Sequence, residues 1–243
     1  FGDIPRGPDV PKVVAEPVTL AAPAKREMTD QVPLTRITRN WSGPGLNHPD
    51  TPALTVGLSV LGGLESSRLD NALVRGEELA DSVSASNQTF EQVSYLQVTM
   101  DVKEGVERAK AEKRFDEVIA RFLEEGPSQD EALRAATSAI VAQIGALEVV
   151  GGFYGKGAML AEGQLYSGDP VEFRQFLDRM AKVTPGEVRE AMRKWLGRPA
   201  FSLAISPGER TEKGETMGGW GDEGSTPAPR PDLPTPALPH RRD

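Results

Sequence analysis

Cysteine is absent from the 243-residue sequence, and histidine occurs only twice, as His48 and His240. Without cysteine, the chain has no disulfide framework, no thiolate zinc site and no cysteine nucleophile. A catalytic zinc site built on imidazoles needs at least two of them with a carboxylate, and the two histidines are far apart in sequence. His48 lies beside Asp50 in a Pro/Gly-rich loop, where a turn residue is the favoured interpretation. We therefore expect no metal site and no catalytic residue in this chain.

The sequence also lacks an excess of basic residues and any long apolar run. It has 28 Lys and Arg against 36 Asp and Glu, a net charge of −8, so its surface would repel a phosphate backbone and nucleic acid is not an expected partner. No window reaches the roughly 20 consecutive apolar residues of a membrane helix, and we expect no membrane partner. The first residues have no signal-peptide pattern and no initiator Met, which favours a piece excised from a longer protein.

Proline and glycine divide the chain into three parts. Residues 1–24 contain five prolines, each of which removes a backbone donor, and we predict a linker there. Residues 207–243 combine glycines with six closely spaced prolines, a composition typical of a semi-rigid spacer, so we predict a linker to a following unit. Residues 25–206 lie between them and are predicted to form a single domain.

Strand patterns come first in this central part. Residues 94–102 alternate in polarity and are predicted to form a hairpin with residues 82–86. Residues 34–41 favour a strand, with a possible partner strand at 26–32. Residues 50–61 fit a helix or a strand about equally by period, although the position of a proline after Asp50 matches a helix start.

Helical patterns follow the strands. An apolar stripe over residues 115–123 ends at Gly126, and Ser128 with Glu131 forms a capping box for the next helix. We predict that the buried face of that helix comprises Leu133, Ala136, Ile140, Ile144 and Leu147.

Three more helices and a last strand complete the pattern. We predict helices over residues 153–165, from Asp169-Pro170 and from Thr184-Pro185, then a strand at 201–205. Strands, then helices, then a returning strand predict an α+β fold, with a mostly antiparallel sheet and a layer of helices on one face.

Several short motifs resemble the pitrilysin/insulinase-type zinc metallopeptidases. Residues 61–75 contain Leu-Gly-Gly, Ser-Ser-Arg-Leu and Leu-Val-Arg in succession, which is similar to a signature of that family's second lobe. The opening residues 1–5 resemble the segment that leaves the zinc-binding lobe. The turn at residues 126–128, Gly151-Gly152 and Asp169-Pro170 are similar to the helical half of the second lobe. The likeness spans about residues 1–206.

The resemblance implies two similar α+β lobes in a unit, and two units that close around a peptide. It places zinc in the first lobe of an active unit, on an inverted His-x-x-Glu-His motif and a downstream Glu, and this sequence has no such motif. We therefore expect an inactive, non-catalytic lobe whose partners are a peptide substrate, a preceding zinc-binding lobe and a following homologous unit. Long bacterial members are often exported, so we expect a bacterial periplasm, with the cytoplasm as the alternative.

One pair of positions concerns substrate binding. In many members an Arg, and a Tyr seven residues later, reach the substrate carbonyl; the resemblance maps the Arg onto Arg75, but Ser82 replaces the Tyr and is too short to reach as far. Arg75 also fits a solvated charge at a helix end, paired with Glu77 or Glu78 for about 0–1 kcal/mol, and we favour this interpretation.

Other interpretations remain open at this point. A non-catalytic scaffold or assembly subunit of the same fold is the alternative function, and an unrelated α+β binding domain is a weaker one. The strand near residues 82–86 could receive a peptide by β-addition. The charge-rich segment 103–117 is expected to be a solvated helix face.

Overall fold

The path of the chain is given by a computed structural model, which describes residue 7, residues 14–153 and residues 155–210. The strands of this part are β1 (Ala24–Asp30), β2 (Arg36–Pro44), β3 (Ala80–Thr89), β4 (Val93–Val102) and β5 (Phe201–Pro207). The helices are α1 (Thr51–Leu58), α2 (Arg108–Glu125), α3 (Gln129–Ala146), α4 (Lys156–Glu162), α5 (Glu172–Lys182) and α6 (Pro185–Leu196). The chain is π-helical over Ser59–Gly63, Asp70–Gly76 and Gly163–Ser167. Most of the two predicted linkers, residues 1–13 apart from Gly7 and residues 211–243, lies outside the described residues.

The strands form one sheet in the order β1-β5-β2-β4-β3. β5 pairs antiparallel with β2, β2 with β4 and β4 with β3, whereas β1 and β5 are parallel. The prediction of an α+β fold with a mostly antiparallel sheet is therefore confirmed.

The two faces of the sheet differ in polarity, as the alternation in β4 predicts. Leu96, Val98 and Met100 are fully buried on the face that the helices cover, while Tyr95 on the opposite face is 41% exposed. The fully buried Phe115 and Phe122 on α2 belong to the same core cluster. Burial of these side chains is the main stabilising contribution to the fold.

The neighbour of β1 differs from the prediction. Residues 26–32 were expected to pair with residues 34–41, but β1 pairs with β5, so that Ala24 lies opposite Phe201. β5 returns from the end of the lobe and inserts between β1 and β2, with Arg36 opposite Ile205. Alternation in a sequence indicates a strand but carries no information about its partner, which is why the pairing was wrong.

Helix α1 explains why residues 50–61 were ambiguous. Seven of its eight residues are buried, because α3, α5, α6 and β3 surround it, so its hydrophobic pattern has no period to detect. The following Gly62 packs directly on β3: a Cβ at this position would lie 3.0 Å from the backbone nitrogen of Ala85. The Leu-Gly-Gly motif thus allows the helix end to approach the strand closely.

The start of α3 was predicted correctly, whereas its buried face was predicted correctly only at Ala136 and in part at Ile140. Ser128 and Glu131 form the capping box, but Leu133 is 58% exposed and Ile144 is 50% exposed. The buried residues of α3 are the small ones, Ala132, Ala135 and Ala136. The prediction assumed that the largest apolar side chains mark the core, whereas α3 packs through its alanines.

The later helix starts are only partly as predicted. Thr184 and Glu187 form the expected capping box of α6. α5 begins at Glu172 rather than at Asp169, whose carboxylate accepts a hydrogen bond from the amide of Val171 at 2.9 Å. α4 begins at Lys156, after the predicted start at residue 153.

Candidate substrate-facing surface

On β2, β3 and β4, the face of the sheet that points away from the helices carries mainly polar side chains. Thr99 lies at its centre, opposite Thr38 on β2 and Ser84 on β3. Because side chains alternate along each strand, the outward positions of these three strands form one continuous surface. We call this surface the polar face; it comprises Thr38, Asn40, Ser82, Ser84, Ser86, Tyr95, Gln97, Thr99 and Asp101.

One end of the polar face is held by hydrogen bonds around Asn40, which is only 7% exposed. Its Oδ1 accepts hydrogen bonds from the hydroxyl of Tyr95 and from Nε2 of Gln97, the latter at 3.2 Å. Gln97 Nε2 also donates to the Tyr95 oxygen at 3.0 Å, and Asn40 Nδ2 donates to the carbonyl of Phe201 at 3.3 Å. The orientations of these side chains are therefore fixed before any ligand arrives.

The other end is held by Asp101. Arg36 donates two hydrogen bonds to its carboxylate, at 2.7 and 2.9 Å, and Ser82 Oγ donates a third at 3.0 Å. The hydrogen bonds from Arg36 lower the pKa of Asp101, against the opposing effect of burial. Since the Ser82 hydroxyl donates its hydrogen bond to Asp101, Ser82 contributes to the polar face as part of this cluster.

Arg75 lies elsewhere, on the π-helical segment Asp70–Gly76. Its Nε is 2.7 Å from Asp70 Oδ2, and its side chain is 56% exposed. The expected pairing with Glu77 or Glu78 is wrong, since Glu77 pairs with Arg114 at 2.7 Å and Glu78 with Lys103 at 2.7 Å.

Arg75 and Ser82 are therefore not joined in one cluster. Arg75 borders an open depression of about 710 Å³ that Leu133 of α3 also lines, whereas Ser82 binds Asp101 on the sheet. The role of Arg75 as a substrate contact stays a prediction.

Strand β3 forms one edge of the sheet, with β4 as its only strand neighbour among the described residues. Ser82, Ser84, Ser86 and Gln88 on this strand are exposed. An edge strand presents a row of backbone N–H and C=O groups that can pair with an extended segment of another chain. The polar face and this edge are continuous with each other.

His48 is part of a structural cluster at the start of α1. Its Nδ1 accepts a hydrogen bond from the amide of Asp50 at 3.0 Å, and its ring packs edge-on against Trp195 at 5.5 Å. Asp50 in turn accepts hydrogen bonds from Lys194 Nζ at 2.6 Å and Trp195 Nε1 at 2.8 Å. Burial acts to raise the pKa of Asp50, but these hydrogen bonds outweigh it and the pKa is lowered.

The donor set near His48 does not fit a zinc ion. A zinc site needs three or four ligands around one point, and the described residues contain no group of three His, Asp or Glu side chains so arranged. His240 lies outside the described residues. Over the same described part, none of the helices combines the length and the apolar character that crossing a bilayer requires.

Two arginines with defined partners were missed by the sequence reasoning. Arg39 points to the helix-covered face of β2, where its guanidinium bonds Asp116 at 2.9 Å and Glu112 at 2.9 Å and lies over the Phe115 ring. Glu112 is only 15% exposed, so the segment expected to be a solvated helix face is in part an interface with the sheet. Arg39 takes the middle place in the alternate positions Ile37, Arg39 and Trp41 of β2. This pattern in the sequence already indicated that its side chain points to the buried face of the sheet.

The second is Arg68, within the Ser-Ser-Arg-Leu motif. Its Nε and Nη2 donate to the two carboxylate oxygens of Glu131 at 2.5 and 2.8 Å, and its guanidinium lies 6.0 Å from the centre of the Phe122 ring. The same Glu131 carboxylate accepts from the Ser128 amide at 2.7 Å, so Arg68 reinforces the capping box of α3.

Solved structures share this fold over most of the chain. A protease from Helicobacter pylori matches with a TM-score of 0.71 and 15% identity, over 83% of this chain and 48% of its own. A peptidase M16 inactive domain from Pseudomonas fluorescens matches with a TM-score of 0.69 and 18% identity, over 86% of this chain and 50% of its own. The chain thus spans about half the length of these two structures.

A third similar structure is a single lobe. The inactive peptidase domain of a candidate zinc protease from Bordetella parapertussis has a TM-score of 0.63 and 20% identity, and the match covers 75% of this chain and 96% of that one. At these identities the likeness shows the fold. A search of the curated proteins finds no match.

The family is shown by a match along the sequence. The model for the peptidase M16 inactive domain matches residues 1–138, more than half of the chain. This region includes all of β1 to β4, and so the whole polar face, together with the motifs of residues 61–75. The chain belongs to the peptidase M16 inactive-domain family.

Proposed function

We propose that this chain is the non-catalytic lobe of a zinc-dependent metalloendopeptidase, and that its polar face forms part of the wall of the chamber that holds the peptide. The observation that carries the proposal is the combination of inactive-domain family membership with an ordered polar face that is continuous with an open strand edge.

The chemistry of this surface suits an extended peptide. A peptide in extended conformation exposes an N–H and a C=O at every residue; the side-chain oxygen of Gln97 can accept from the N–H groups, and the hydroxyls of Ser84 and Thr99 can donate to the C=O groups or accept from the N–H groups. The edge of β3 offers backbone groups for the same purpose. Because Gln97 is already oriented by Asn40 and Tyr95, little side-chain entropy is lost when it binds.

Zinc and hydrolysis belong, in this proposal, to a preceding lobe. A following homologous unit would close the chamber. The length of the similar structures supports a partner lobe, since the two described first are about twice as long as the part they share with this chain. Arg75 as an additional contact to substrate is part of the same proposal and is tested by Arg75→Ala.

The experiment measures peptide hydrolysis by the longer protein, in which the preceding lobe is joined to this chain. Thr99→Arg places a bulky cation at the centre of the polar face, and we expect it to raise KM for a quenched fluorescent peptide several-fold with little change in kcat. Lys110→Glu, an exposed position on the helix side, is the matched control and should leave both constants unchanged.

Equal kinetics for both variants and the unmodified protein would refute the chamber-wall role. A longer protein that lacks zinc ligands and hydrolyses no peptide would instead favour the alternative, a non-catalytic scaffold or assembly subunit of the same fold.

A further inference from the structure

Helix α3 has a second apolar face that the described residues of this chain leave uncovered. Leu133, Ile140, Val141 and Ile144 follow the 3–4 residue spacing of one helix face. Leu133, Val141 and Ile144 are 58%, 62% and 50% exposed, and Ile140 is partly buried. We call these four residues the α3 stripe.

The apolar surface continues beyond the stripe at its C-terminal end. Val149, Val150 and Phe153, in the connection to α4, are 58%, 78% and 92% exposed. At the other end, Leu133 lines the open depression that Arg75 and Leu64 border. Contiguous apolar patches larger than a few hundred Å² are uncommon on isolated soluble proteins and mark interaction surfaces.

The lobe's own core uses little of the α3 stripe, since of its four residues only Ile140 packs against the core, and only in part. The opposite side of α3 packs against α1, α5 and α6 through Ala132, Ala135 and Ala136, all nearly fully buried. These alanines let the helices approach closely, and they leave the branched side chains pointing away from the core. The distribution is the reverse of the usual one, in which large apolar residues are inside and small or polar ones outside.

We propose that the α3 stripe is the docking surface for a companion lobe of the same polypeptide, which covers it with an apolar helix face. This inference rests on the proposed function, since it names the partner that the non-catalytic lobe contacts. The two matched structures of which this chain covers 48% and 50% have the length that such a second lobe requires.

The size of the stripe favours a tethered lobe over a second copy of this chain. The stripe extends from Leu133 to Ile144, about 18 Å long and 10 Å wide, or about 180 Å² per side, and the exposed Val149, Val150 and Phe153 bring the apolar surface to about 300 Å² per side. Stable complexes of independent proteins bury about 800 Å² per partner. A lobe on the same polypeptide needs less, because a short linker supplies an effective concentration of about millimolar and interfaces between domains start at about 600 Å² in total.

The experiment compares two pairs of substitutions, each made in two proteins. Val141→Lys with Ile144→Glu makes the stripe polar, keeps good helix formers and places opposite charges three residues apart. The matched control, Ala142→Lys with Gly145→Glu, introduces the same two charges, also three residues apart, at exposed positions of α3 outside the stripe. Both pairs are made in the 243-residue chain and in the longer protein that includes the preceding lobe.

Hydrogen exchange over residues 133–146 is the main readout. We expect amides of α3 to exchange at least 10-fold more slowly in the longer protein than in the 243-residue chain, and the stripe variant to remove this difference while the control keeps it. In the 243-residue chain, we expect the stripe variant to stay monomeric and to unfold at the same temperature as the unmodified chain.

Three results would overturn the proposal. The first is equal exchange in the two unmodified proteins. The second is loss of folding in the 243-residue stripe variant, which would make the stripe part of this lobe's own core. The third is a dimer of the 243-residue chain that the variant dissociates, since a second copy would then be the occupant. Zinc content and the Thr99→Arg kinetics test the proposed function separately, so either proposal can fail alone.

Discussion

Replacement of Arg68 by methionine tests whether the Ser-Ser-Arg-Leu motif stabilises the fold through the hydrogen bonds between Arg68 and Glu131. Arg68 is 29% exposed and Glu131 is 19% exposed, so their double hydrogen bond is only partly screened by solvent. Hydrogen bonds from Arg68 are the largest cause that lowers the pKa of Glu131, from 4.5 to about 2. A shift of that size corresponds to about 3 kcal/mol between the two protonation states, shared with the Ser128 cap.

We expect Arg68→Met to lower the free energy of unfolding by about 2 kcal/mol at pH 7. This value lies between the roughly 0–1 kcal/mol of an exposed pair and the roughly 3–5 kcal/mol of breaking a fully buried one. Methionine keeps the apolar stem against Phe122 and removes only the charge and its hydrogen bonds. For a lobe of this size, a loss of about 2 kcal/mol lowers the melting temperature by about 4–8 °C.

The loss of stability caused by Arg68→Met must become smaller as the pH falls. Because the folded-state pKa of Glu131 is below its unfolded value, its contribution is complete above about pH 4.5 and is lost as the pH falls towards 2. Urea denaturation should therefore show a large difference between Arg68→Met and the unmodified chain at pH 7 and a smaller one at pH 3. Arg121→Met, which breaks an exposed pair with Glu125, is the control and should change stability by less than about 0.5 kcal/mol.

A difference below about 0.5 kcal/mol at pH 7, or one that does not change between pH 7 and pH 3, would refute this reasoning. In addition, Glu131→Gln should remove most of the effect of Arg68→Met, because glutamine keeps the capping acceptor without the charge. Independent, additive effects of the two substitutions would show that the ion pair is not what stabilises this corner of the lobe.

Four further substitutions have defined outcomes. Gly62→Val should cost about 1–3 kcal/mol in urea denaturation because its side chain would collide with β3, whereas Gly63→Ala, with 3.4 Å to its nearest neighbour atom, should be nearly neutral. Arg39→Leu should cost about 2 kcal/mol, since it removes the charged hydrogen bonds to Glu112 and Asp116 while Lys25 and Arg108 stay within 3.6 Å of Glu112, and a loss smaller than about 1 kcal/mol would contradict that role. Thr184→Ala should cost about 1 kcal/mol by thermal unfolding because the α6 cap is lost.

The sequence was informative wherever a local rule decides the outcome. Capping boxes are local hydrogen-bond patterns, and both Ser128 and Thr184 start their helices as predicted. The alternation in β4 also predicted correctly which side chains face the helices, since the two faces of that strand have different surroundings.

The sequence was misleading wherever the outcome depends on distant partners. The neighbour of β1 is set by a strand that lies about 170 residues later, and no period in residues 24–30 can indicate it. The buried face of α3 was assigned to its large side chains because hydrophobicity alone cannot distinguish a lobe's own core from a surface that another lobe could cover.

The candidate site was predictable only in part. The motifs of residues 61–75 indicated the family, but Arg68 in that stretch was not recognised as a structural residue, because its partner Glu131 is 63 residues away. The polar face could be outlined from the alternation in β4, whereas its fixed hydrogen bonds depend on Asn40 of β2.

The most direct test of the central claim is zinc stoichiometry together with peptide hydrolysis for the purified 243-residue chain. We expect less than a tenth of an equivalent of zinc by mass spectrometry after dialysis, and no cleavage of a quenched fluorescent peptide library. One equivalent of zinc with cleavage that a chelator abolishes would contradict the assignment of this chain as a non-catalytic lobe.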